Sequence, residues 1–471
     1  MEHAWLSVLP FLVVIPIATW LKEIMPALVI GLLVGSFCLE PTLTGGLKKS
    51  VDYIIQTLAN ADNIKIVAFL YLFGGLIGLM QISGGIKGFS QWVSSKVRSE
   101  RGLIWLIWLT IPFTFMTPMF RIMMIGPVLK SISERIEISK RRIGYALDVS
   151  TEPIIVLMPV ATAFVGFMVS VVGGAMQQNS IPGSAYQIFL YSILFNFFAI
   201  ILLIIGLFTT FRSSSAVRKE LSGVSGEDEQ NELHRVGIEK ELSLVRAQPW
   251  NLIIPLLLLL LLTLYLLWED GRAKGGKTWL ESFAAADATF VMMLAIFITL
   301  LFTYIYYFVR REKLPEMMFH FFDGGNQLMT AILLLILVWS TSLAAEDLGF
   351  SQFVSSTLGS FVPKFAVPAI VFILGSLVAY FIGTSWGTWG LFMPLGIALA
   401  AATGASIPIT AGAVFASGTF GAFASPIGDT TITTASIMEM SIIDYAKYKL
   451  KIAFIAAALT VIAYLLASFL L

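Results

Sequence analysis

Long apolar blocks follow one another along this chain, and short polar or basic connections separate them. Leu252 to Trp268 and Ala284 to Val309 are two such blocks. A helix needs roughly 20 mostly apolar residues to cross the hydrocarbon core of a bilayer. The pattern therefore predicts an all-α polytopic membrane protein with about 10 transmembrane helices. We interpret the first block, Ala4 to Trp20, as a retained helix and not as a signal peptide, because no basic region precedes it and no small-residue cleavage pattern follows it.

One apolar block begins and ends beside basic connections. Leu103 to Leu129 is interrupted by Met116-Thr117-Pro118. Because Lys and Arg are retained on the cytoplasmic side, both ends of this block belong on that side. The block is therefore predicted to be a re-entrant hairpin with its tip at Thr117-Pro118. The basic residues are Lys87, Lys96, Arg98 and Arg101 before the block, and Lys130, Arg135, Lys140, Arg141 and Arg142 after it.

The next block is too long for one straight crossing. Ile143 to Met176 contains Ser150-Thr151-Glu152-Pro153 and, a few residues later, Pro159. Proline and small polar residues inside an apolar block indicate a broken helix.

The second half of the chain repeats this layout. Ala366 to Ala402 is a double-length block with Gly383-Thr384-Ser385-Trp386-Gly387-Thr388 at its middle, which predicts a second hairpin. Ile409 to Met440 is again overlong and is interrupted around Ser425-Pro426-Ile427-Gly428-Asp429-Thr430. Each half is thus expected to contain a re-entrant hairpin followed by a broken helix.

A long polar connection separates the two halves. We predict a first repeat over residues 1–211, a cytoplasmic linker over 212–248 and a second repeat over 249–471. With about five crossings in each half, the second repeat is inverted relative to the first, and the hairpins enter from opposite faces. Lys447, Lys449 and Lys451 then fall on the predicted cytoplasmic side, in agreement with the positive-inside rule.

The interruptions point to a binding site. Backbone that leaves the helix inside a membrane is tolerated only where it lines a cavity or is buried in protein. Half-helix N-termini offer N–H donors to anions, and unwound carbonyls offer ligands to a cation such as Na⁺. Taken singly, each hydroxyl at a break is more simply explained by a bond to its own backbone or by close packing; the paired arrangement favours a shared site. The hydroxyl candidates are Thr117, Ser150, Thr151, Thr384, Ser385, Thr388, Ser425 and Thr430, with Pro118 at the first tip.

Ionisable residues at the breaks strengthen this prediction, because a charge at the bilayer centre costs at least about 2.5–3.5 kcal/mol. Asp148, Glu152 and Asp429 are predicted to couple transport to a cation or proton, with Asp148 and Asp429 as Na⁺ ligands. Arg121 is predicted to be a fixed cation that faces Glu152 or an anionic substrate. A purely structural Arg121–Glu152 pair is the alternative.

Composition excludes several classes of function. Charged residues make up 13% of the chain and the hydrophobic set 57%, against about 25% and 45–50% in soluble domains. A net charge of +1 leaves no basic surface for nucleic acid. The single cysteine, Cys38, excludes an intramolecular disulfide and a cysteine-based zinc site. No nucleophile–base pair, zinc motif or nucleotide-binding loop occurs at the interruptions, so we predict neither an enzyme nor an ATP-driven pump, and no cofactor. The paired breaks favour an occluded site over a channel.

The two motifs of the second half carry a resemblance to a known family. Gly383 to Thr388 with the later Pro394, and Phe420 to Thr431, resemble the second-hairpin and broken-helix signatures of the NhaC-type sodium/proton antiporters of the ion-transporter superfamily. In the first half, Ile138 to Pro153, with Asp148 ahead of its proline break, is similar to a third segment of that family. The resemblance covers nearly the whole chain. It implies a multi-pass transporter of a prokaryotic cell membrane that forms a homodimer. Such a transporter would carry out Na⁺ and/or H⁺ antiport, or would exchange these ions against organic anions such as malate and lactate.

The chain departs from the family pattern at two places. Thr117-Pro118 and Arg121 replace an acidic pair and an asparagine, and Gly421-Ala422-Phe423 replaces a Gly-Asp-His triplet. The lost carboxylates and the added guanidinium weaken a bare Na⁺ site. The sequence therefore predicts an ion-coupled antiporter working by alternating access, with two variants left open: a cation site around Asp148, Glu152 and Asp429, or a site for a small organic anion or amino acid.

Overall fold

The computed structural model describes residues 4–82, 97, 99–136, 138–211, 248–357 and 361–470. All regular secondary structure within these residues is helical. The predicted linker, except for Gln248, and the basic residues Lys87, Lys96 and Arg98 lie outside the described residues.

Eleven α-helices lie before residue 212 in the described part of the chain. Their bounds are α1 Leu9–Leu21, α2 Ile24–Leu39, α3 Leu43–Ala59, α4 Ala61–Ile82, α5 Glu100–Leu109, α6 Pro118–Arg135, α7 Lys140–Val149, α8 Glu152–Val156, α9 Ala163–Gln178, α10 Ala185–Leu194 and α11 Phe197–Phe211. Two 3-10 helices, Ala4–Val8 and Ile111–Phe113, accompany them.

Eleven more follow from residue 248 onward in the described residues. They are α12 Trp250–Ala273, α13 Trp279–Ala285, α14 Ala288–Val309, α15 Leu314–Gln327, α16 Met329–Asp347, α17 Phe350–Thr357, α18 Val367–Ile382, α19 Ser385–Thr403, α20 Ile407–Ala424, α21 Asp429–Ile437 and α22 Ile442–Leu470. A 3-10 helix, Lys364–Ala366, precedes α18.

The predicted all-α polytopic membrane protein is confirmed. Nine helical segments in the described residues are long and apolar enough to cross a bilayer, and three further apolar helices are shorter. Several present large apolar side chains outward, including Leu261, Ile305 and Phe308, which are more than half exposed. Apolar outward faces of this kind suit contact with lipid chains.

Both predicted hairpin tips are turns between consecutive helices. At the first, the chain leaves the 3-10 turn after α5 and re-enters a helix at Pro118, where the Thr117 hydroxyl accepts the Phe120 N–H at 3.2 Å and caps α6. At the second, Gly383 adopts a left-handed φ of 79° between α18 and α19. A Cβ there would lie 2.6 Å from the Ile427 carbonyl oxygen, so glycine lets the second tip pack directly on the break between α20 and α21.

Both predicted broken helices are also interrupted. The first interruption is double, because the chain leaves the helix at residues 150–151 and again at 157–162, on either side of the short α8. The second covers residues 425–428. The order of hairpin and then broken helix thus occurs on both sides of the predicted linker, while the inverted relation of the two halves stays a prediction.

Contacts between the two parts of the chain place the breaks against the hairpins. Helix α21, which follows the second break, packs on α6 of the first hairpin. A Cβ on Gly126 of α6 would lie 3.0 Å from the Ile437 side chain. Helices α4 and α15 also approach closely, because Gly74 and Gly78 on one face of α4 meet Gly324 of α15. These small residues bring elements of both parts around one central space.

Candidate functional site

A cavity of about 640 Å³ lies where the two hairpin tips and the two breaks meet. This volume falls within the roughly 300–1,000 Å³ that is typical of small-molecule sites. Seven residues predicted from the sequence line it: Thr117, Pro118, Glu152, Thr384, Ser385, Asp429 and Thr430. The tertiary structure therefore brings both tips and one residue or more from each broken helix to a single space.

Glu152 is the deeply buried carboxylate on the cavity wall. Its side chain belongs to the first break, at the start of α8, and only 2% of the residue is exposed. The Ser385 hydroxyl, from the second tip, donates to Glu152 Oε1 at 2.7 Å and also lies 3.2 Å from the Gly418 carbonyl. Within the described residues, Ser385 is the hydrogen-bond donor that the structure gives to Glu152. The first break and the second tip are thus joined through one carboxylate oxygen.

Asp429 and Thr430 contribute the second break to the cavity. Asp429 begins α21 and is exposed, whereas the Thr430 hydroxyl donates back to the Ala422 carbonyl at 2.9 Å. The N-terminus of α21 carries a partial positive charge, which favours a carboxylate at that position. Asp429 is therefore available to the cavity, while Thr430 holds the two sides of the break together.

An aromatic wall faces these polar groups. Trp386 and Phe164 both line the cavity, with ring centroids 4.6 Å apart and planes at 87°. Trp389 lies behind them, fully buried, and its indole N–H donates to the Phe415 carbonyl at 3.0 Å. Edge-to-face packing of this kind gives the wall a fixed shape.

Arg121 does not line the cavity, and its hydrogen bonds go to neutral oxygens. It is 1% exposed and donates to the Ile107 carbonyl at 2.6 Å and to the Thr151 hydroxyl at 3.0 Å. Further hydroxyl acceptors of its guanidinium are Thr110, Thr114 and Ser150. No ion pair joins Arg121 to Glu152 in the part of the chain that the structure describes, so the predicted Arg121–Glu152 pair is wrong.

Two helix C-termini account for the stability of this buried cation. Ile107 lies in the last turn of α5, and the Leu147 carbonyl near the end of α7 accepts the hydroxyls of Ser150 and Thr151. A helix C-terminus carries a partial negative charge, so both helix ends favour a cation at this position. Arg121 thereby connects the first hairpin to the first break through their backbone dipoles.

Asp148 lies in a second buried cluster outside the cavity lining. Its Oδ2 atom accepts from Lys449 Nζ at 2.5 Å and from the Tyr445 hydroxyl at 2.7 Å, and its Oδ1 atom accepts from the Thr434 hydroxyl at 2.5 Å. Lys449 also donates to Thr431 at 2.9 Å. This cluster joins α7 to α21 and α22, the two helices that follow the second break.

Lys449 corrects the sequence interpretation. Lys447 and Lys451 are exposed as expected, but Lys449 is 0% exposed. Helix periodicity carries the signal that was missed: Lys449 lies four residues after the buried Tyr445, on the same face of α22, while Lys447 lies on another face. The predicted Na⁺ ligands Asp148 and Asp429 consequently differ in position, since only Asp429 lines the cavity.

The remaining predicted hydroxyls act within the fold. The Thr388 hydroxyl donates to the Thr384 carbonyl at 3.0 Å, and the Ser425 hydroxyl donates to the Tyr380 carbonyl at 2.7 Å. Both are buried and neither lines the cavity. Sequence reasoning also missed several polar residues of the cavity lining that lie outside the predicted breaks and tips: Lys22 and Glu23 between α1 and α2, and Gln81, Gln327 and Thr330 in helices.

A cluster of ion pairs joins the C-terminal end of α6 to the turn after α21. Glu439 lies 2.8 Å from Lys130 Nζ and 3.1 Å from Lys140 Nζ, and Lys140 also pairs with Glu134 at 3.0 Å. The hydrogen bond and charge of Lys130, together with those of Lys140, lower the pKa of Glu439 to about 2. The first hairpin is therefore tied to the C-terminal end of the segment that follows the second break.

Comparison with known proteins identifies the family. Residues 154–469 match the model described as the Na⁺/H⁺ antiporter family. The chain belongs to the Na⁺/H⁺ antiporter family. The matched region of this antiporter-family chain contains the second tip and the second break, whereas Arg121, Asp148 and Glu152 precede it.

A relative and two solved structures match most of the chain. An uncharacterized protein of Haemophilus influenzae is 26% identical over 98% of this antiporter-family chain and 91% of its own length. MtrF of Neisseria gonorrhoeae, described within a class of antimetabolite efflux pumps, has a similar fold with a TM-score of 0.63 at 12% identity, over 90% of this chain and 85% of its own. The YdaH transporter of Alcanivorax borkumensis also has a similar fold, with a TM-score of 0.57 at 12% identity, over 89% of this chain and 88% of its own. The protein is a multi-pass membrane transporter.

Proposed function

We propose that this chain is a secondary active antiporter that couples Na⁺ and/or H⁺ to the movement of a small organic solute by alternating access. The cavity carries this proposal. A space of about 640 Å³ with an aromatic wall exceeds what a bare ion needs and is of the size that encloses a small organic molecule. Backbone interruptions on both sides of it supply elements that can move against one another around a fixed site.

Glu152 is the coupling group in this proposal. It is buried on the cavity wall and shares a hydrogen bond with Ser385 of the second tip. A carboxylate in this position can take up a proton or ligate Na⁺, and a change in its charge alters its contact with Ser385. Protonation of Glu152 would thus change a contact that joins the first break to the second tip. Asp429 is the second candidate ligand.

Exchange of Na⁺ against H⁺ with no organic solute is the second candidate function, and membership of the Na⁺/H⁺ antiporter family favours it. In either case the chain would act in a prokaryotic cell membrane, as a homodimer. Asp148 would serve as a cation ligand only if Lys449 moved away, because Lys449 Nζ lies 2.5 Å from its Oδ2 atom.

Proteoliposomes containing the purified full chain and a pH-sensitive dye test the proposal. A Na⁺ gradient is imposed first alone and then with malate, lactate, L-phenylalanine or phenethylamine on one side. We expect a saturable pH change that depends on one of these solutes. Glu152→Gln should abolish this coupled flux, while Glu316→Gln, at an exposed site paired with Lys313, should leave it unchanged.

The outcomes separate the candidates. A pH change driven by Na⁺ alone, unaltered by every solute, would establish simple antiport and overturn the role of an organic solute. Coupled flux that persists in Glu152→Gln at the level of the unaltered chain would refute the assignment of Glu152. Solute movement that ignores both Na⁺ and pH gradients would exclude ion coupling.

A further inference from the structure

The second hairpin presents an uncapped helix N-terminus to the cavity. Thr384 occupies the N-cap of α19 but makes no capping hydrogen bond, in contrast to Thr117, which caps α6. Within the described residues, no acceptor takes the backbone N–H groups of Ser385, Trp386 and Gly387. Free amides at the start of a helix are a site for an anionic group.

A buried carboxylate with a free oxygen lies beside this N-terminus. Glu152 uses Oε1 to accept from Ser385, and no donor in the described chain reaches its Oε2 atom. The residue is 2% exposed and lines the same cavity. A carboxylate oxygen that is open to the cavity and has no donor in the described residues favours a ligand that brings an N–H group, such as an ammonium.

The N-terminus of α19 and the Glu152 carboxylate, which have opposite charges, meet at Ser385. Ser385 contributes the first backbone amide of α19, and its hydroxyl lies 2.7 Å from Glu152 Oε1. A ligand that uses both groups must therefore carry its positive and negative charges a few bonds apart. An α-amino acid, with ammonium and carboxylate on one carbon, meets this requirement.

The charges around the cavity argue against a simple anion. Three carboxylates line it, from Glu23, Glu152 and Asp429, against one cation, Lys22. Arg121 and Lys449 are buried elsewhere and do not contribute to the lining. A dicarboxylate would meet net repulsion, while a plain amine would leave the α19 amides unpaired.

We infer that the cavity binds a neutral α-amino acid as a zwitterion, with its carboxylate at the N-terminus of α19 and its ammonium at Glu152. The apolar part of the wall, formed by Phe120, Phe164, Trp386 and Ile382, receives the side chain, so apolar and aromatic amino acids are the preferred class. This inference rests on the proposed transport of an organic solute and specifies its chemistry.

Binding to the purified full chain is measured with three matched probes. L-phenylalanine carries both charges, 3-phenylpropionate lacks the ammonium and phenethylamine lacks the carboxylate. We expect L-phenylalanine to bind at least about 10-fold more tightly than either analogue, since each analogue leaves one recognition group unpaired. Glu152→Gln should weaken L-phenylalanine binding by a similar factor and affect 3-phenylpropionate little.

A second variant tests the helix N-terminus without depending on Glu152. Thr384→Asp places a carboxylate at the N-cap, where aspartate is a favourable capping residue, so folding is retained while the α19 amides become occupied. Binding of L-phenylalanine should fall at least about 10-fold, and binding of phenethylamine should stay the same or improve. Glu316→Gln, at an exposed site outside the cavity lining, is the control and should bind both as the unaltered chain does.

The results distinguish this inference from the proposed function. Equal binding of all three probes, or unchanged L-phenylalanine binding in Thr384→Asp, would overturn the zwitterion assignment. If malate or phenethylamine drives the coupled flux and L-phenylalanine does not, the amino-acid inference fails while organic exchange stands. If no solute alters the Na⁺-driven pH change, the proposed function itself fails.

Discussion

Asp148 and Lys449 form a buried ion pair across 301 positions of the sequence, with Lys449 Nζ 2.5 Å from Asp148 Oδ2. Their side chains are 1% and 0% exposed. The ammonium also lies 4.9 Å from the centroid of the Phe423 ring and 4.6 Å from that of Tyr445. Because charges without partners are strongly disfavoured at this depth, the pair fixes α7 against α22 with little freedom to shift.

Removing one member of this pair should destabilise the protein. Asp148→Asn or Lys449→Met leaves the partner as an uncompensated buried charge, and we expect a loss of about 3–5 kcal/mol in the free energy of unfolding. Reversible unfolding by SDS in mixed micelles measures it.

The double variant Asp148→Asn/Lys449→Met separates structure from ion binding. It removes both charges, and most of the lost stability should return. If the double variant is stable and still shows Na⁺-coupled flux, Asp148 is not a cation ligand. Stability that does not recover would contradict the pair as the dominant interaction of the cluster.

Arg121 is expected to be a structural residue of the first hairpin. Arg121→Met removes its five hydrogen bonds to neutral oxygens, and Arg121→Lys keeps the charge but loses the planar arrangement of donors. Both should lower the free energy of unfolding, by about 2–4 kcal/mol for the Met variant. SDS unfolding and solute binding are measured together.

The exposed Arg101 on α5 is the matched control, and Arg101→Met should have little effect. The binding constant of the folded fraction should not change in Arg121→Lys, because Arg121 does not line the cavity. A stable Arg121→Met protein that no longer binds solute would instead place Arg121 in the binding site.

A side chain at Gly78 is expected to destabilise the packing of α4 against α15. A Cβ at this position would lie 2.1 Å from the His320 carbonyl oxygen and 2.9 Å from Gly324 Cα, so Gly78→Ala forces α4 away from α15. We expect a loss of about 1–3 kcal/mol on unfolding by SDS. Gly173→Ala in α9 is the control: its Cβ would meet only Ala185 Cβ at 3.4 Å, and the change should be neutral or stabilising. Equal effects of the two would contradict the close approach of these helices.

Glu439 should contribute a small, pH-dependent stabilisation. Its pKa of about 2 lies below the ordinary value of 4.5, so the contribution is present above pH 4.5 and is lost as the pH falls towards 2. The carboxylate is 38% exposed, which limits the effect to less than about 1 kcal/mol. The difference in melting temperature between the unaltered chain and Glu439→Gln, measured from pH 7 down to pH 3, should therefore shrink with acidification and with added salt. A difference that grows on acidification would refute the assignment.

The sequence by itself determined the fold class and the places where helices are interrupted. Apolar blocks longer than a bilayer requires can only be helices, and proline, glycine and hydroxyl residues inside them mark the tips at Thr117 and Gly383 and the breaks near Glu152 and Asp429. These signals are local, since each depends on the backbone preferences of a few neighbouring residues.

Only the tertiary structure decided which charged groups meet. Glu152 faces Ser385 and not Arg121, Arg121 is held by helix dipoles and not by a carboxylate, and Lys449 turns inward to Asp148 and not towards the predicted cytoplasm. Each of these contacts joins residues that are distant in the chain or depends on the face of a helix. Hydrophobic patterning fixes how deep a residue lies, but the packing of helices against one another fixes its partner.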